Sequence, residues 1–294
     1  MADIKPTATA TASKASTSVQ PKRSSNSISW IAPLACVIAG YIIWRFVLGD
    51  ASNFDKPALP GTERYNWFWP GHEGPKGNLV KAYEGGIIVP LLIGMFLMVI
   101  TFAIERFLTI ARATGKGNNA EFIRKVQYHL ANKNVDAALQ ECDKQKGSVG
   151  NVMKAGLRKY KEMITNTELT TEQKVQGIQK EVEEATALEL PMLEKNLVFL
   201  STITSLATLV ALLGTVMGMI KSFGSLGDES GGAAAAANLA VGISEALYNT
   251  GLGIATSAVA MVFYNMFTTR IDGITFGIDE SGFTLTQSFA SLYK

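Results

Sequence analysis

The sequence predicts an all-α, polytopic membrane protein whose long helices extend into a cytoplasmic helical domain. Two observations carry this reading. Only 18% of the 294 residues are charged, and the mean hydropathy is +0.17. The charge is also unevenly placed, leaving apolar runs of about 20 residues, each long enough to cross a hydrocarbon core about 30 Å thick. Between two of these runs lies a polar stretch whose apolar residues recur at helical spacing. A net charge of +2, with no basic patch interleaved with aromatics, gives no footprint for nucleic acid. Cys36 sits in an apolar run and Cys142 in the polar stretch, so neither a disulfide nor a metal set is expected. There is no nucleophile–base set, P-loop or metal-ligand spacing, so no enzyme and no cofactor is expected.

Residues 1–27 are rich in Ser, Thr and Ala and read as a disordered cytoplasmic N-terminus. The first apolar run is 28–48, with Trp30, Tyr41 and Trp44 near its ends as interfacial anchors and Arg45 able to snorkel. It reads as a retained span or as a signal segment with a long basic leader, and the lack of a clean small-x-small site favours the span. Residues 49–84 form a polar periplasmic loop with Pro57, Pro60, Pro70 and Pro75, and the aromatic cluster Tyr65–Trp69 is expected at the headgroups. His72 and His129 are isolated and read as surface residues.

The second span is 85–110. Its end carries Glu105-Arg106, expected as an interfacial ion pair with no transport role. Residues 111–195 form the cytoplasmic insert, expected as three or four amphipathic helices broken near Asn134, Gly147 and Asn166. Pro191 predicts a kink where the insert meets the membrane. The third span is 196–223, where Ser201, Thr204, Ser205, Thr208, Thr215 and Ser222 recur at spacings that form one hydroxyl stripe. Gly214 and Gly218 make a G-x-x-x-G close-packing pair within it. A short turn is expected at 224–232 and the fourth span at 233–269, with a tail at 270–294 that forms a short helix or loses order. The positive-inside rule then assigns the N-terminus, the insert and the tail to the cytoplasm.

The fourth span carries the functional signal. Glu245 is followed by an uncharged run from Ala246 to Thr269, about 24 residues or roughly 36 Å of helix. A carboxylate there costs roughly 2.5–3.5 kcal/mol on insertion scales, so it should face protein or water. At 100° per residue, Asn238, Gly242, Glu245, Asn249, Leu252 and Thr256 share one face. Thr250 lies about 140° away and should meet a neighbouring helix or the edge of a pathway. Glu245 is therefore read as a point on an ion route.

The run Leu212-Leu213-Gly214-Thr215-Val216-Met217-Gly218-Met219-Ile220, then Ser222-Phe223, resembles the MotA/TolQ/ExbB family of ion-driven motor subunits. So do Ala240-Val241-Gly242-Ile243-Ser244-Glu245-Ala246-Leu247, Thr250, Gly253 and Tyr264-Asn265. The resemblance implies a proton channel in the bacterial inner membrane with no covalent chemistry. It implies a homo-oligomer, a pentamer, around a dimer of an ExbD/TolR-like single-span partner, set among membrane lipids. By the same resemblance Glu245 takes the pore glutamate's position, Thr215 and Thr250 take those of two pore threonines, and Glu245 favours the ExbB/TolQ branch. Thr208, Asn249, Thr256, Gly214, Gly218 and Gly242 would support that pathway. The chain departs from the family pattern at Met217, where Trp is usual, at Val241 and Thr208, where Pro is usual, and at Asn249, where Ala is usual. The implied function is ExbB-like: proton motive force energises a TonB-like protein for transport across the outer membrane. The alternatives are a TolQ-like role in envelope integrity, or a structural scaffold that conducts nothing.

Overall fold

A computed structural model describes residues 27–58, 60, 66–68, 70–77, 80–228 and 233–293. The expected disordered segment up to residue 26, Tyr65 and Trp69 of the aromatic cluster, and 229–232 of the expected turn lie outside the described residues. Helix α1 spans Ser27–Ile42 and continues through a π-helical segment, Ile43–Leu48. The loop after it holds strands β1 (Phe54–Lys56) and β2 (Glu73–Pro75), paired antiparallel, and the single turn α2 (Lys81–Glu84). Then come α3 (Ile88–Ala113), α4 (Asn119–Ala131), α5 (Val135–Gln145), α6 (Gly147–Thr165) and α7 (Thr171–Glu194). The described chain closes with α8 (Leu197–Asp228) and α9 (Ala233–Leu292). Among the described residues, four helical runs are long and apolar enough to cross a membrane: α1 with its extension, α3, the α7–α8 run and α9.

The helix ends follow their sequence signals. Asn118 and Asn134 cap α4 and α5 by accepting the backbone N–H of Ala120 and Ala137. Thr170 and Gln173 close a reciprocal capping box on α7. Gly147 has φ +78°, and a Cβ there would collide with the Ala113 carbonyl, so the α5–α6 corner can press against the end of α3. The break at the membrane end of α7 is displaced from its expected place. The helix carries through Pro191 to Glu194, and the chain turns at Asn196, whose φ of 65° is a left-handed conformation that Asn tolerates.

Helix α9 has 60 residues, about 90 Å at 1.5 Å per residue, three times the thickness of a hydrocarbon core. It packs first against α8 and then runs on against α4, α6 and α7. This corrects the expected tail. Beyond Arg270 the helix continues unbroken and buries Ile271, Ile274, Ile278, Leu285 and Phe289 in the core of the insert. There Phe289 meets Tyr160 edge-on, with ring centroids 4.9 Å apart. Cys142 is buried in the same core, and burial pushes its thiol up to about 12, so it stays protonated.

Glu105-Arg106 forms the expected ion pair, at 2.6 Å, with Arg106 buried within the protein. Its side chain is 2% exposed, and Nη1 donates to the Met192 and Leu193 carbonyls at the end of α7. Asn196 Nδ2 donates to Glu105 at 2.9 Å, which ties the α7–α8 corner to α3.

At the other end of the bundle, the loop folds over a small aromatic core. Trp44 stacks on Tyr83 at 4.6 Å, and Phe54 stacks on His72 at 4.7 Å. His72 is thus buried rather than a surface residue, and its Nδ1 accepts the Ala58 N–H at 2.9 Å. Burial lowers its pKa below the ordinary value, and the nearby Arg45 charge acts in the same sense. The sign follows from linkage. A His that resists protonation in the fold stabilises the loop above its unfolded pKa of about 6.5, and that stability is lost as pH falls through and below this value. Protection factors of the loop amides around His72, corrected for the intrinsic pH dependence of exchange, should therefore fall between about pH 7 and 5, while those of the insert hold. Equal protection factors at both pH values would remove this role for His72.

Candidate functional site

The site is the hairpin of α8 and α9, at the end of the bundle nearest the loop. Small residues let the two helices approach closely. A Cβ on Gly253 would collide with Ala211, one on Gly242 with the Ser222 hydroxyl, and one on Gly218 would lie 3.2 Å from the Ala246 Cβ. Ala207, Ala211, Ala246 and Ala260 are fully buried along the seam.

The structure brings Thr215 and Thr250 together. Their hydroxyls bond to each other across the hairpin. One hydroxyl donates to the other, and the accepting one gives its own proton to its helix: to the Ala211 carbonyl at 3.1 Å if it is Thr215, or to the Ala246 carbonyl at 3.3 Å if it is Thr250. This pair therefore sits beside Ala246, the residue next to Glu245. Glu245 lies on a different face of α9, consistent with the angular count, and is half-buried. It lines a groove of about 360 Å³ between the α8–α9 hairpin and residues 85–88, which lead into α3. Gly214, Gly218, Lys221 and Asn249 line the same groove.

The remaining expected residues divide into several roles. Asn249 is 2% exposed and donates Nδ2–H to the Gly85 carbonyl at 3.0 Å, so it faces α3 within the subunit. Its Oδ1 is buried with no hydrogen-bond partner among the described residues. Gly214 is packed beneath it, since a Cβ there would lie 3.0 Å from Asn249 Nδ2. Thr256 is buried and gives its proton to its own Leu252 carbonyl at 2.8 Å, which leaves it a packing role. The hydroxyl stripe on α8 fans out: Ser222 is buried against α9, while Ser205 and Thr208 are exposed on the single chain. A straight helix turns by 3.6 residues, so a stripe drawn at spacings of 3, 4 and 7 drifts around it.

Lys221 is the groove residue that the sequence reading missed. The signal was present, since Gly214, Gly218 and Lys221 are spaced 4 and 3 apart and so share one face of α8. Ser257 was also missed; its hydroxyl bonds to the Thr204 carbonyl and adds a second cross-hairpin tie. A half-buried carboxyl at a groove lined by polar groups can take up and release a cation or a proton.

Residues 144–280 match the model of the MotA/TolQ/ExbB proton channel family. The chain is 38% identical over 86 residues to biopolymer transport protein ExbB-like 3 of Synechocystis, covering 29% of this chain and 41% of that protein. It is 30% identical over 122 residues to the Tol-Pal system protein TolQ of Pseudomonas aeruginosa, covering 42% and 52%. Against a biopolymer transport protein ExbB homolog of Methanothermobacter thermautotrophicus, identity is 26% over 201 residues, covering 67% and 65%. The matched stretches thus span between about two-fifths and two-thirds of these relatives.

Proposed function

We propose, on the match of residues 144–280 to the model of the MotA/TolQ/ExbB proton channel family, that the chain is the channel subunit of an ExbB/TolQ-type motor in the inner membrane. Several copies set α8 and α9 around a lumen, as a homopentamer. A dimer of an ExbD/TolR-like single-span protein occupies the lumen. Glu245 exchanges protons with that partner, and the Thr215–Thr250 pair lines the path beside it. Each charge falling through 100 mV releases about 2.3 kcal/mol, so one mechanical step draws on several. The work passes to a TonB-like protein and energises transport across the outer membrane. The positive-inside rule sets the insert on the cytoplasmic side and the 49–84 loop in the periplasm.

The observation that supports the proposal is a half-buried carboxyl, Glu245, on a hairpin that also closes the Thr215–Thr250 hydroxyl pair and holds the family signature. A TolQ-like role in envelope integrity stands beside it, because a TolQ protein is among the relatives. Purification from native membranes tests both. The expected result is co-purification of a single-span protein with a membrane Asp and voltage-driven proton uptake after reconstitution. A TonB-like or a TolA-like associated protein then separates the two roles. A pure single-component oligomer without proton uptake would overturn the proposal.

A further inference from the structure

The groove beside Glu245 belongs to a single subunit. Its walls are residues 85–88, which lead into α3, and the faces of α8 and α9 that look toward them. All of these lie at the end of the bundle that carries the 49–84 loop: α3 begins at Ile88, α8 ends at Asp228 and α9 begins at Ala233. Two opposite charges, Lys221 and Glu245, line it together, and neither is stable in hydrocarbon. Below them Asn249 Oδ1 is buried and unpartnered, which is the condition that recruits water to a polar site. The volume holds several waters. Its rim is apolar and open, with Ile87 and Met217 exposed.

We infer that this lateral groove is the water-filled entry by which a proton or cation reaches Glu245 from the loop side. Each subunit then has its own entry, separate from the lumen between subunits, and Lys221 at the rim sets which charge enters. Asn249 is a positioning residue. It pins α9 to Gly85 one helical turn from Glu245 and so fixes where the carboxyl meets the groove. A Cβ at Gly85 would lie 2.8 Å from Asn249 Oδ1, so a side chain there would displace that amide. The inference builds on the channel reading, but its test is independent of transport.

Variants with one added cysteine, Ile87→Cys or Met217→Cys, in the full-length oligomer in native membranes, are treated from the loop side with a charged, membrane-impermeant methanethiosulfonate. Thiolates form only where water reaches, so both should react on the order of tenfold or more faster than Phe96→Cys, which sits further along α3. The native Cys36 and Cys142 are buried and give a low background. Ile87 and Met217 are exposed on the single chain, so their replacement leaves packing intact. Rates no faster than at Phe96 would mean that a neighbouring subunit or lipid seals the groove, and the inference would fall. A wet groove in a protein whose Glu245→Gln variant still conducts would leave the entry standing and remove the channel reading instead.

Discussion

Glu245→Gln is expected to reduce voltage-driven proton uptake to the background leak while the oligomer and any partner complex still form. Gln keeps the volume and most of the hydrogen bonding of Glu, so the groove and the hairpin keep their shape. What it loses is a titratable proton. Removal of a positioned proton-transfer group typically costs on the order of 10²-fold or more in rate. An amide in a membrane path should therefore stop turnover, not merely slow it. The rival reading makes Glu245 a static interhelical link in a scaffold. That reading expects Glu245→Gln to be silent in every assay and Glu245→Ala to weaken the oligomer, because an amide can replace a hydrogen bond and a methyl cannot. Uptake measured in proteoliposomes, together with the mass of the solubilised complex, separates the two. Full uptake by the Gln variant would end the motor interpretation.

Much of this fold was legible because a bilayer imposes simple rules. Uncharged runs locate α3, α8 and α9, and Asn134 and Gly147 mark helix starts because a cap and a left-handed glycine are local requirements. The face carrying Glu245 was legible too, since Gly242, Asn249 and Thr256 on that face are buried and Glu245 is half-buried. Long-range partners were not legible. His72 is buried only because Phe54 and Tyr83 come to it from 18 and 11 positions away, and nothing in its own neighbourhood signals this. The helix beyond Arg270 was underread, although Ile271, Ile274, Ile278, Leu285 and Phe289 repeat at helical spacing. Scattered Asp, Glu and Gly masked that period in a span-by-span reading. Asn249 shows the same limit on a single residue. Its face was evident, but whether that face met a lumen or Gly85 depended on where α3 packs.

Arg106→Ala is expected to give the largest loss of stability away from the hairpin. The guanidinium does two things at once. It neutralises Glu105 through a two-pronged contact at 2.6 and 3.2 Å, and it satisfies two carbonyls, of Met192 and Leu193, that the end of α7 cannot pair within the helix. Alanine leaves both carbonyls without this donor and Glu105 with the Asn196 amide but no cation. Removing one partner of a buried pair costs about 3–5 kcal/mol, and the lower end applies here because Glu105 is 43% exposed and water can reach it. Two carbonyls deprived of a donor act in the same direction. The loss falls at the corner where the insert joins α8, so the thermal midpoint should drop by several degrees and proteolysis should begin near Lys195. Glu105→Ala alone should cost less, since Arg106 would keep its carbonyl partners. The double variant Glu105→Ala/Arg106→Met, which removes both charges and restores packing, should recover part of the lost midpoint. If Arg106→Ala unfolds at the wild-type temperature, the pair is a surface ornament, and the α7–α8 corner is held by Asn196 and apolar contacts alone.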